Sequence, residues 1–171
     1  MRFEEAFDKT VWGWEGGDKL HTVPGDPGGT TRWGIAQRFH PEVDVRTMTE
    51  DEAKSFYYRK FWAAVRAPLL PPELRWDVFD YGVNRHPVTS IRTLQRAVNA
   101  CNLARHRPLI AEDGRFGPRT RESLSALPPE RVLLVFRGLR TQYYVERSSD
   151  PQQIQFLEGW LDRVNGDRGR A

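Results

Sequence analysis

The sequence predicts a mostly α-helical protein with a small irregular or β-hairpin loop after its first helix. Two observations carry this. Apolar residues recur at helical spacing through most of the 171 residues. The period is lost from Lys19 to Thr31, where Pro24-Gly25 and Asp26-Pro27-Gly28-Gly29 crowd turn dipeptides together.

Phe3, Ala6, Phe7, Val11 and Trp14 form the stripe of the first helix, and Gly16-Gly17 offers the left-handed residue that ends it. Glu15 then falls in the last turn, beside the stripe, so its carboxylate should emerge where core meets cleft. Leu20 to Val23 and Thr30 to Trp33 are short enough to pair as a hairpin. Thr49-Glu50-Asp51-Glu52 is a capping box, and Ala53, Phe56, Tyr57, Phe61, Ala64 and Val65 continue it as a helix over 49–66. Pro68 and Pro71 break the chain, and Pro72 fits the first turn of a helix carrying Leu74, Val78, Phe79 and Val83. Ile91, Leu94, Val98 and Cys101 mark the next helix. After a loop punctuated by Asp113-Gly114 and Gly117-Pro118, a short helix ends near Pro128-Pro129. Val132, Val135, Phe136, Leu139 and Tyr143 make another stripe, and Asp150-Pro151 opens a last helix with Ile154, Leu157, Trp160, Leu161 and Val164. The tail from Asn165 to Ala171 is expected to fray.

Composition narrows the classes of function. The chain is long enough to bury roughly two thirds of its unfolded surface. With 29% charged residues it holds no run near the ~20 apolar residues of a membrane span, so no stable membrane insertion is expected. A net charge of +3 is too small to point to nucleic acid. Met1-Arg2-Phe3-Glu4-Glu5 lacks the features of a secretory signal, so a cytoplasmic location is expected before the protein acts. The single Cys101 excludes an internal disulfide and reads as a small buried apolar residue. His21, His40, His86 and His106 are scattered singly, which disfavours a metal site. Motifs for zinc proteases, serine hydrolases and phosphate-cradling loops are absent from the sequence.

Acid chemistry remains, at Glu15 with Asp26 eleven residues on. Glycosidic cleavage needs a proton delivered to the leaving oxygen, and a second group that stabilises the oxocarbenium-like centre or activates water. A glutamate serving as donor must hold its proton near neutral pH, and partial burial against aromatic rings such as Trp12, Trp14 and Trp33 pushes a carboxyl that way. The competing reading of Glu15 is a solvated helix-end charge. Asp26 either takes part in catalysis or bonds the backbone of its own turn.

Glu15-Gly16-Gly17, followed by Asp26-Pro27-Gly28-Gly29-x-Thr31-x-x-Gly34-Ile35, resembles the signature of glycoside hydrolase family 108, peptidoglycan-cleaving muramidases that include phage endolysins. Phe79-Asp80-x-x-Val83-Asn84, Leu94-Gln95-x-x-Val98-Asn99 and Asp113-Gly114-x-Phe116-Gly117-Pro118-x-Thr120 resemble the predicted peptidoglycan-binding segment that follows in that family. Arg85-His86-Pro87 departs from the family's small residue and glycine after the asparagine. The resemblance implies a lysozyme-like helical fold with a catalytic segment over 1–70 and a binding segment over 71–165; the proline bend between them is too short for a flexible linker, so the two are expected to pack into one body, followed by a flexible tail over 166–171. It implies Glu15 as general acid, Asp26 and Thr31 positioning a water, and no metal or organic cofactor. Trp33, inside the motif loop, is the aromatic expected in the groove. Asp80 and Asn84, four apart on one helix face, either bond the sugar or brace two helices.

The expected reaction is hydrolysis of the β-1,4 bond between N-acetylmuramic acid and N-acetylglucosamine in peptidoglycan by a monomer. Stored in the host cytoplasm and acting in the periplasm, such an enzyme needs a holin or other pore-former for access. The rivals are a lytic transglycosylase, a chitinase or chitosanase, and a murein-binding or secretion-associated protein without catalysis.

Overall fold

The computed structural model describes residues 1–22 and 29–166. Asp26, its Pro/Gly turn and the tail beyond residue 166 therefore lie outside the described residues. The chain divides into two compact units, Met1–Trp62 and Ala63–Ala171.

In the first unit, α1 (Phe3–Phe7) runs straight into a π-helical turn, Asp8–Trp12. The wider turn shows in the backbone, where Gly13 N–H donates to the Asp8 carbonyl at 3.3 Å. A three-stranded antiparallel sheet follows, β1 (His21–Thr22), β2 (Thr30–Arg32) and β3 (Ile35–Ala36), in sequential order. Thr22 pairs with Thr30 and Arg32 with Ile35, so the anticipated hairpin is present and a further strand extends it. The second helix, α2 (Glu50–Tyr57), opens on the expected capping box: Glu52 N–H donates to Thr49 Oγ at 3.3 Å, and Glu52 Oε2 accepts from Thr49 N–H at 2.7 Å. It ends in a second π turn, Tyr58–Trp62, and not at residue 66. Residues 63–66 are turns, because Pro68 cannot continue a helix through the carbonyl four residues before it. Phe7, Val11, Ile35, Ala53, Phe56 and Tyr57 form this unit's core.

The second unit holds α3 (Pro72–Asn84), α4 (Pro87–Leu103), α5 (Pro118–Ser125), α6 (Pro129–Arg147) and α7 (Leu157–Asn165). Each of the first four starts with proline at its first position, where the missing N–H costs nothing. Helices α3, α4 and α6 pack on one another, with α7 against α6. Leu74, Val78, Phe79, Ile91, Leu94, Val98, Val132 and Phe136 are buried between them, as is Cys101. The last helix starts later than Asp150-Pro151: Asp150 Oδ1 accepts from Gln152 N–H at 2.9 Å, a turn that holds the backbone out of helix until Ile154. Among the described residues no helix is long and apolar enough to cross a membrane. The architecture is mostly α, lysozyme-like, with seven α-helices and one small sheet of short strands among the described residues.

Candidate active site

Glu15 lies just past the π turn, where the chain leaves the first helix, and not within its last turn. Its N–H donates to the Thr10 and Val11 carbonyls, both at 3.2 Å, and Gly17 N–H reaches back to Val11 O at 3.0 Å. That last bond closes the helix end as a left-handed cap does. Gly16 and Gly17 have φ of +86° and +59°, so the glycine pair fills the role expected of it. A side chain at Gly17 would also have no room, since its Cβ would stand 2.4 Å from the Trp12 ring.

The sheet brings the second half of the motif to this point. Trp33 and Gly34 are the two residues between paired Arg32 and Ile35, with φ of +56° and +70°. Such a two-residue hairpin loop needs positive φ at both positions. Tryptophan is a costly residue there, on the order of 1–3 kcal/mol for strain of this kind. Three hydrogen bonds hold it: Trp33 N–H donates to Gly17 O at 2.9 Å, its indole N–H to Met48 O at 3.2 Å, and the Tyr57 hydroxyl donates to its carbonyl at 2.7 Å. Gly34 then receives the glutamate. A Cβ at Gly34 would lie 2.6 Å from Glu15 Cβ, 3.1 Å from Cγ and 2.9 Å from the Tyr57 hydroxyl. The stem of half-buried Glu15 therefore rests on the bare backbone of the hairpin turn.

Thr31 sits on the central strand, between His21 and Ala36, half-buried. Its neighbours Thr30 and Arg32 point to the other face, as strand alternation requires. There, Thr30 Oγ meets Thr22 Oγ and the Arg46 guanidinium, while Arg32 bonds the Asp18 and Arg46 carbonyls.

The Trp33 ring does not line a groove, contrary to the sequence expectation. It is 3% exposed and carries part of the core, whereas Trp12, 42% exposed, stands edge-on to it at 5.2 Å. Trp12 is thus the open aromatic face near Glu15. At 100° per residue Trp12 falls well off the stripe of Phe7, Val11 and Trp14, so its exposure agrees with the helical wheel.

Asp80 is likewise no surface group. It is fully buried, and accepts from Arg163 Nη2 at 2.9 Å and from Arg140 Nη2 at 3.0 Å, tying α3 to α6 and α7. Burial pushes its carboxyl up, but the two guanidiniums outweigh burial and hold it below the ordinary aspartate value. Asp77, one turn earlier, accepts a fork of bonds from Arg137 at 2.7 and 3.1 Å; there burial prevails and raises the carboxyl. Asn84 is half-buried, accepts from the Tyr144 hydroxyl at 2.8 Å, and lines a small cavity with Arg85, Tyr143 and Trp160. The structure therefore gathers Glu15, Gly17, Trp33 and Gly34 with Tyr57, and places Asp80 and Asn84 in the packing of the second unit.

The remaining motif residues are structural joints. Gln95 Nε2 donates to Asp113 Oδ1, Arg115 O and Thr120 Oγ at 2.9, 3.0 and 3.2 Å, and its Oε1 accepts from Gly114 N–H at 2.8 Å. Asn99 holds Ile110 in the same manner, through its backbone N–H and carbonyl, both at 2.9 Å. Among the described residues no group of three or more His, Cys, Asp or Glu side chains could hold a metal ion.

Comparison with known proteins places these features. The model of glycosyl hydrolase 108 matches residues 9–85, and that of the predicted peptidoglycan domain matches residues 89–165. No curated protein matches the chain. Among solved structures, that of Brucella abortus SagA is similar in fold, with a TM-score of 0.74 and 23% sequence identity over 95% of this chain and 89% of the other. The matches to the glycosyl hydrolase 108 model and to the predicted peptidoglycan domain, on a lysozyme-like fold, support a peptidoglycan-acting, lysozyme-like function for the chain.

Proposed function

We propose that the chain is a muramidase that hydrolyses the β-1,4 bond between N-acetylmuramic acid and N-acetylglucosamine. The observation that supports it is the seat of Glu15: its stem lies on a glycine that has no room for a side chain, below a turn fixed by Tyr57. A proton donor must be held at one position relative to the leaving oxygen, and such a seat limits its rotamers. Glu15 delivers its proton to the glycosidic oxygen as the bond to the anomeric carbon breaks. Water held by Asp26 and Thr31 adds to that carbon, and its released proton restores the acid over the cycle. Trp12 offers a flat apolar face to a sugar ring. The first unit cuts, and the second holds the wall.

The test compares the protein with its Glu15→Gln variant for release of reducing ends from purified sacculi. Loss of the donor should cost at least ~10²-fold, and near-equal rates would end the assignment. Mass analysis of the same digest distinguishes chemistry: hydrolysed ends support this reading, while anhydro-sugars would make the protein a transglycosylase.

In the cell, the proposal is a lysis enzyme that reaches the wall after a separate pore-former opens the inner membrane. Active protein found in the periplasm of cells that lack any pore-former would contradict it.

A further inference from the structure

The second unit contains an open cavity of about 520 Å³ that plays no part in the reaction above. Its walls include Leu69 and Phe116, Pro118 at the start of α5, and the side chains of Arg66, Arg121 and Glu122. The volume is that of a small-ligand site, roughly 300–1,000 Å³.

Three features indicate what it takes. The first is apolar: Leu69 stands 48% exposed, a large aliphatic group left in water beside Phe116. The second is cationic. Neither Arg66 nor Arg121 has a carboxylate partner among the described residues, whereas Arg137, Arg140 and Arg163 are all paired. The first turn of α5 opens on the same cavity without a side-chain cap, and its unspent N–H groups add positive potential. The third is the choice of cation. The lysines Lys9, Lys19, Lys54 and Lys60 all lie in the first unit, so every fixed cation of the second is an arginine. A guanidinium fork matches a carboxylate as an ammonium does not.

Arg66 adds a further constraint. It has φ of +56°, held by Leu69 N–H donating to its carbonyl at 2.9 Å and by its own N–H donating to Ala63 O at 3.0 Å. Glycine would be the unstrained choice there, yet the chain carries a long cation that reaches the cavity.

A ligand with several carboxylates and short apolar side chains fits these walls. A neutral glycan strand, with hydroxyl and N-acetyl groups, would leave two guanidiniums unanswered. We propose that this cavity is where the second unit grips the carboxylate-bearing peptide stem of peptidoglycan. The proposal rests on peptidoglycan being the ligand of this unit, and goes beyond it by assigning recognition to the stem and not to the sugars.

The experiment uses the full chain carrying Glu15→Gln, so that nothing is cut, and measures calorimetric binding of three probes: free tetrapeptide stem, intact muropeptide, and uncharged N-acetylglucosamine oligomers. Stem binding should weaken at least about tenfold, ~1.4 kcal/mol, in Arg66→Gly and again in Arg121→Gln, with glycan binding unchanged. Arg66→Gly suits its backbone and should melt no lower than the parent, which keeps loss of folding from imitating loss of contact. Stem affinity unchanged in both variants would overturn the proposal. Equal affinity for the uncharged oligomers and for intact muropeptide would also overturn it while leaving peptidoglycan as the ligand. Failure of the parent to sediment with sacculi would remove that underlying reading as well.

Discussion

A methyl group on Gly34 would stand 2.6 Å from Glu15 Cβ, closer than two such carbons can approach. The two residues are nineteen apart in sequence, and both belong to the one motif. Gly34→Ala meets a steric barrier and also an unfavourable φ of +70°. It should lower stability by about 1–3 kcal/mol and turnover on sacculi by at least ~10-fold. Gly16→Ala is the control: φ is +86° but no atom lies within 4 Å of the new methyl, so it should melt lower with turnover nearly intact. Thermal unfolding and initial rates on both variants decide it. Equal turnover losses would mean that Gly34 matters only for backbone strain.

Tyr57 fixes the turn from below. Tyr57→Phe removes the 2.7 Å hydrogen bond to the Trp33 carbonyl and leaves a buried acceptor without that donor. The cost should be about 1–3 kcal/mol, with turnover lowered more than substrate affinity, because the donor's seat shifts while the sugar-facing surface stays. Steady-state kinetics read this directly. A higher KM with unchanged kcat would count against a positioning role.

Trp12 is one of the three tryptophans that the sequence sets beside Glu15, and its ring stays open while that of Trp33 is buried. Its exposed ring makes Trp12→Ala a surface truncation, expected to lose the edge contact with Trp33, about 0.5–1.5 kcal/mol. If the ring carries a sugar, kcat/KM on soluble glycan oligomers should fall about tenfold or more, ~1.4 kcal/mol, and Trp12→Phe should recover part of it. Identical kcat/KM in all three proteins would leave Trp12 a cover for Gly17 alone.

What was legible and what was not follows the range of each interaction. Helical stripes, the Thr49–Glu52 capping box, the Pro72 start and the glycine stop are local, and one strand of sequence states them, whereas Pro118 and Pro129 read as punctuation between helices and instead begin them. The motif glycines were legible as turns, but not as the bed of Glu15, because that contact needs the hairpin folded back. The π turns escaped because apolar spacing near 3.6 does not separate a wide turn from a normal one over five residues. Its place in a loop points Trp33 to a groove, while its positive φ and its bonds to Met48 and Gly17 are tertiary facts. Asp80 illustrates the largest gap: its partners lie 60 and 83 residues away, and no spacing rule reaches that far.

Gln95 ties α4 to the 113–116 turn and to α5 through both ends of its amide. Gln95→Leu keeps the bulk and deletes every bond, leaving the Gly114 N–H and the Thr120 hydroxyl without this partner. Expected destabilisation is about 2–4 kcal/mol, from one or two stranded buried groups. Glu15 lies in the other unit, so hydrolysis of short glycan oligomers at low temperature should be nearly unchanged. A loss of oligomer hydrolysis as large as that of Gly34→Ala would refute this division of labour.

Asp80 sets the acid limit of the second unit. Its folded carboxyl titrates below the ordinary aspartate value because Arg163 and Arg140 more than offset burial. A depressed folded value means that the unfolded chain takes up the proton first as pH falls. The stabilisation is therefore complete above the unfolded aspartate range, near pH 4, and is lost as pH drops through the lower folded value. Asp80→Asn removes the charge and strands two buried guanidiniums, at an expected cost of about 3–5 kcal/mol at pH 7. Asp77 runs the other way, since burial raises its folded carboxyl, and its linkage favours the folded state at low pH, declining as pH rises through that higher value. Urea unfolding of the parent and of Asp80→Asn from pH 7 to 2 separates the two. The gap between the proteins should stay constant down to about pH 4 and close below it. A gap that closes already between pH 7 and 5 would mean that the Asp80 carboxyl titrates above its ordinary value, and that burial prevails over its arginines.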